Sequence, residues 1–124
     1  QALIDLNEAT MNLNYKLKAI EILKESMELF YIKEKKIFQK NIINNNDIFI
    51  QPIDIGDNTT PNANSIMLMN LTRLGMMEEA SDLAESLNGY LNKYKGFMTS
   101  AIKSIDFYES IKSGKKCGDE GCLI

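Results

Sequence analysis

From Asp57 to Leu74 the chain reads DNTTPNANSIMLMNLTRL, a polar stretch of turn formers that runs directly into a segment apolar on nearly every side. At helical spacing such a segment has no face to offer to water, so the helix must be buried all round. Its polar N-terminal mouth is then the natural place for a cavity. This one feature demands a mainly α fold, with other helices supplying the cover.

Those helices are legible in the periodicity. Leu3, Leu6, Ala9 and Leu13 recur at helical spacing, with Ile4 and Met11 beside them, as do Leu17, Ile20, Leu23, Met27 and Phe30, with Asn12 and Asn14 as a turn between the two sets. Residues 2–31 therefore read as an antiparallel helical hairpin. The period then changes: Ile37 to Ile43 and Asp47 to Gln51 flank Asn44-Asn45-Asn46 and predict a short β-hairpin over 37–51, ended by Pro52. After a loop through Gly56 and Pro61 comes a second helical hairpin over 62–94. Gly75 closes its first helix, and Met77, Ala80, Leu83, Ala84, Leu87 and Leu91 stripe its second. Gly96 breaks the pattern before a last helix over 97–111, with Met98, Ala101, Ile102, Ile105 and Tyr108 as its stripe; 113–124 is a Gly- and charge-rich tail. Ala19 and Ala80, about 61 residues apart, suggest a repeated helical hairpin, the unit of solenoids and α/α toroids, so that 1–112 forms one such body.

Composition narrows the chemistry. The net charge of −3 argues against a nucleic-acid partner. The basic cluster Lys33 to Lys36 reads as a solvated helix end. There is no histidine, which removes the usual general base and the commonest metal ligand. Catalysis, which the residues leave open, would rest on Asp, Glu, Tyr, Lys or Cys; no metal or cofactor is implied. No apolar run reaches membrane length and no signal peptide is visible, so no membrane partner is expected and the location reads as cytoplasmic. The start at Gln1 reads as a cut or processed end.

Asp54 and Asp57 are the leading chemical candidates. Two carboxylates on a loop at a cavity mouth can do acid/base work on a sugar. They can equally cap turns and the helix start, the commoner role of Asp in such places. Asn64 and Ser65 divide in the same way between binding hydroxyls and capping. Cys117 and Cys122 can bridge, take part in a metal site completed by another subunit, or stand as free thiols. Met67, Met69, Met76 and Met77 fall on helical spacing and read as core. Asn58-Thr59-Thr60 and Asn70-Leu71-Thr72 match glycosylation acceptors, the second inside a buried helix.

The span from Ala2 to about Tyr108 resembles the C-terminal part of the thioredoxin-domain-containing proteins related to spermatogenesis-associated protein 20. The resemblance is carried by Gln51-Pro52-Ile53-Asp54, by Asp57-Asn58-Thr59-Thr60-Pro61-Asn62-Ala63-Asn64-Ser65, by Asn70-Leu71-Thr72-Arg73-Leu74 and, more loosely, by Tyr94, Gly96, Phe97, Ser104, Asp106, Phe107 and Tyr108. The tail from Cys117 to Cys122 resembles a C-x4-C at the end of family members. The resemblance implies antiparallel helical hairpins of an incomplete (α/α)6 toroid of the six-hairpin glycosidase type, with a carbohydrate-binding or carbohydrate-active role and a sugar ligand. It places Asp57 and Asp54 as acid/base residues, and Asn64, Ser65 and Pro61 on the substrate. Gln51 stands where the family has Arg, Asn62-Ala63 replaces Ser-Gly, and no thioredoxin-like domain is present. A chain this long cannot close a six-hairpin ring, so its open faces would meet the remainder of a larger chain or a second copy. The alternative reading is a non-catalytic helical interaction or self-association module.

Overall fold

The computed structural model describes residues 1–42 and 53–114. Within them lie five α-helices: α1 (Ala2–Thr10), α2 (Leu13–Phe30), α3 (Ala63–Leu74), α4 (Met77–Tyr94) and α5 (Thr99–Lys112). Two short strands, β1 (Tyr31–Ile32) and β2 (Ile37–Phe38), and a 3-10 turn at Lys95–Phe97 complete the set.

The apolar helix is the hub. From Asn64 to Leu74 no residue of α3 is exposed, and Leu68 and Leu71 are wholly buried. α3 packs against α1, α4, α5 and β2. Facing it are Leu83 and Leu87 of α4 and Ala101 and Tyr108 of α5, with Met98 at the entry to α5, in one core with Leu23, Ile37 and Phe38. A wholly buried Leu contributes roughly 1.5–3 kcal/mol, so the five-residue run Leu68 to Thr72, buried but for the half-buried Met69, anchors the fold.

The two helical hairpins are built alike. α1 passes to α2 through Met11 and Asn12, and α3 passes to α4 through Gly75 and Met76. The first link residue is left-handed in both, with φ 56 at Met11 and φ 77 at Gly75. Its N–H donates to Asn7 in one case and to Leu71 in the other. Each link leads into a helix of 18 residues. Met11 and Gly75 are thus 64 positions apart, as are Leu13 and Met77 and as are Asn7 and Leu71. The structural register of the echo is therefore 64, which pairs Ala19 with Leu83 and Leu23 with Leu87, rather than Ala19 with Ala80. Asn12 opens α2 by accepting from the Asn14 N–H at 3.0 Å, an ordinary side-chain cap.

The strand region departs from expectation. Ile37–Phe38 is a strand, but it pairs backwards, antiparallel, with Tyr31–Ile32 (Tyr31 opposite Phe38, Ile32 opposite Ile37). The turn is Lys33 to Lys36, not a solvated helix end. Lys36, at φ 53, reaches α4 through ion pairs to Asp82 (2.9 Å) and Glu85 (2.7 Å), and Ser86 Oγ donates to the Lys35 carbonyl at 3.0 Å. Extended preference in Tyr31 and Ile32 overrides the helical stripe that runs into them. Residues Gln39 to Ile42 form no strand; the expected Asn44-Asn45-Asn46 turn and its second strand lie outside the described residues.

Several stripe positions are also corrected. In α1 the buried residue is Ile4, while Leu6, Ala9 and Leu13 are exposed, and Leu13 and Asn14 belong to α2 rather than to α1 and the turn. Leu17 is 65 % exposed: the buried edge of α2 runs through Ala19 and Leu23, and Leu17 stands two positions before Ala19, roughly 200° round the helix. Ile102 is exposed because α5 buries Ala101, Ser104 and Tyr108 instead. No described helix is long and apolar enough to cross a membrane.

Candidate functional site

The loop residues converge on two adjoining polar nodes at the N-terminus of α3. The first is Asp57. Asn62 caps α3 by accepting from the Ser65 N–H at 3.0 Å, and it donates from its own N–H (3.0 Å) and its Nδ2 (3.1 Å) to Asp57 Oδ1. Ser100 donates its Oγ–H to the same oxygen. The Ser100 N–H donates to Asp57 Oδ2 at 2.6 Å. Asp57 therefore caps α5 from 43 residues upstream, where Met98, the residue before that helix, offers no side-chain cap. Its own N–H donates to the Phe97 carbonyl at 2.7 Å, closing the loop onto the α5 entry.

Electrostatics agree. Burial pushes the Asp57 carboxyl up, but the hydrogen bonds from Ser100 and Asn62 outweigh it and hold the group below the ordinary carboxylate range. An anion at the N-termini of two helices also meets their partial positive charge. The result is an ionised carboxylate with four donors already committed to it.

The second node is Asn64, almost fully buried in the first turn of α3. Its Oδ1 accepts from the Phe38 N–H at 2.9 Å, and its Nδ2 donates to the Phe38 carbonyl and to the Asp54 carbonyl, both at 3.0 Å. The carboxamide thus serves β2 as a neighbouring strand would, satisfying both main-chain groups of Phe38. Behind it, the Phe38 and Tyr31 rings sit 5.0 Å apart at a tilted angle.

The structure therefore brings Asp57 and Asn64 to neighbouring nodes of one loop–helix junction and sends Asp54 elsewhere. The Asp54 carboxylate pairs with Lys40 at 3.2 Å, on the partly exposed side of the loop. Ser65 is buried with its Oγ unpartnered, and Pro61 is exposed. Asn70, the second glycosylation match, is buried in α3. Cys117 and Cys122 lie outside the described residues. Among the described residues, no group of three or more His, Cys, Asp or Glu is placed to hold a metal ion.

Sequence reasoning missed Ser100 and Arg73. Ser100 carries a recognisable sign, a small hydroxyl residue at a helix start, but its partner lies far away in the chain. Arg73 has a side chain only 4 % exposed, and it ties α3 to α1 through Asp5 and Glu8, each at 2.7 Å. Burial alone would strip the guanidinium of its proton more easily; the hydrogen bonds to Glu8 and Asp5 reverse that and hold it charged.

The chain matches no protein-family model, no curated protein and no solved structure.

Proposed function

We propose that this chain is a non-catalytic helical interaction module, and that the turn end of α1–α2 seats a further helical surface, from a second copy or from the remainder of a larger chain. The observation that carries this reading is the exposure of Met11 (82 %), Leu13 (67 %) and Leu17 (65 %) around one turn, with Leu6 exposed nearby on α1. Leu13 and Leu17 lie one helical turn apart on the same face of α2. Their counterparts 64 positions on, Met77 and Ser81, are both partly covered. Clustered exposed apolar side chains mark interaction surfaces. Sedimentation velocity over a concentration series tests self-association: the chain should sediment above its monomer mass, and L13K with L17K should return it to monomer. A well-dispersed monomer that also ignores added helical segments of its parent chain would overturn the reading.

The carbohydrate-related reading competes with this one, supported by the loop–helix motif. It requires Asp57 to exchange committed protein donors for sugar hydroxyls. Calorimetry against a sugar panel separates the two: saturable heat in the wild type that disappears in D57A, with the fold retained, would favour the sugar.

A further inference from the structure

Charge is scarce at the exposed turn between α1 and α2, and what there is lies in balance. The residues from Ala9 to Tyr15 include no Asp, Glu, Lys or Arg. α1 carries two ionisable side chains, Asp5 and Glu8, and Arg73 draws both toward α3. Leu6 and Ala9, exposed and three positions apart, share a side of α1. On α2, Leu13 and Leu17 stand exposed one turn apart, and the rim beside them holds both signs, with Lys18 paired to Glu21 at 2.9 Å. A partner of strong single-sign charge finds no counterpart on such a surface. An apolar surface with a mixed rim does, and this patch is itself one. The two ends of the molecule also differ. α5 covers α3 and α4, as a terminal cap closes a stack of repeats, whereas among the described residues α2 packs chiefly on α1 and β1. Open-ended growth needs two different complementary surfaces, while a twofold contact needs one that fits itself.

Resting on the interaction-module reading, we propose that the occupant of this turn is a second copy of the chain, with α2 of one copy antiparallel to α2 of the other and Leu13 facing Leu17 across a twofold axis. Each residue pair of a twofold contact occurs twice, so both leucines of one copy cover both leucines of the other. The axis falls level with Asn14 to Lys16, midway between the two leucines. Assembly stops at two, because the contact consumes the same turn on each copy.

Sedimentation equilibrium and thiol cross-linking test this together. With rising concentration the mass should level off at twice the monomer. L17K, at an exposed position where the fold tolerates it, should weaken pairing roughly tenfold or more, since the twofold repeats the substitution. In a chain carrying C117S and C122S, which removes both native thiols, a short bismaleimide should join N14C to itself, because a residue beside a twofold axis meets its own copy. N92C, exposed on α4 in the other hairpin, should not join to itself. Head-to-tail assembly would seat the turn on the other exposed apolar corner, Tyr94 and Phe97, and would link N14C to N92C when the two variants are mixed. That product, or a mass that climbs past two copies without levelling, overturns the twofold pairing and leaves the interaction module standing. A monomer at every concentration also overturns the pairing. If that monomer still takes up helical segments of its parent chain, the broader reading survives; if it takes up none, both fall.

Discussion

The two helical hairpins share a design and differ in what surrounds them. Both have a two-residue link with a left-handed first residue, and both lead into an 18-residue helix. In the second hairpin the left-handed residue is Gly75 and the long helix buries Ala80, Leu83, Ala84 and Leu87. In the first it is Met11, and the long helix buries only Ala19 and Leu23. Similar local geometry has been fitted to a central place in one case and a peripheral one in the other. The difference lies in the neighbours: α3 and α4 are covered by α5 and the small sheet, whereas α1 and α2 rest mainly on each other and on one flank of α3.

The largest test of that contrast is a pair of truncations. L87A should lose about 3 kcal/mol of stability, as wholly buried leucines do. L17A should stay within about 0.5 kcal/mol in the isolated chain. Urea unfolding measures both, and equal losses would break the comparison.

Next in size is the junction that fastens the second hairpin to α5. D57A should cost about 2 kcal/mol, since it leaves the start of α5 without its acceptor and unties Asn62, the residue that caps α3. The pH dependence has a definite sign. The Asp57 carboxyl is held below its ordinary value, so the stability it contributes is fully present above roughly pH 4 and is lost as pH falls through its folded-state value. D57N should flatten that acid limb of the stability profile.

The link residues give the smallest and sharpest pair. No atom lies within 4 Å of a Cβ placed on Gly75, so G75A should cost about 1 kcal/mol through backbone strain alone. M11G should gain about 0.5 kcal/mol by relieving the same strain. If the Met11 side chain serves a partner, M11G should also weaken association, which sedimentation would report.

Local periodicity made the helices legible. The apolar run of α3, the Asn62 start and the Gly75 stop are all written in neighbouring residues, and the structure places them there. The strand pairing was not legible, because Tyr31 and Ile32 continue a helical stripe and only the β2 ladder draws them into extended form. The 64-residue register was hidden by alanines that suggested 61. At the candidate site, Asn62 and Asn64 could be read as helix-start residues. Their partners Ser100 and Phe38 could not, since contacts spanning 38 and 26 residues leave no trace in spacing. Arg73 reads as an exposed last-turn cation by local rules; only the placement of α1 turns it into a buried tie.

The reach of Asp57 to Ser100 has a consequence for how the molecule comes apart. The final helix depends for its first turn on a segment synthesised well before it, so the two should open together. In native-state hydrogen exchange, the Ser100 amide should report the release of the 53–57 strap rather than end-fraying of α5. A single protease cut among exposed Asn58, Thr59 and Thr60 would leave both fragments pinned, one through the carboxylate clasp and the other through α3, so the nicked molecule should still migrate as one particle.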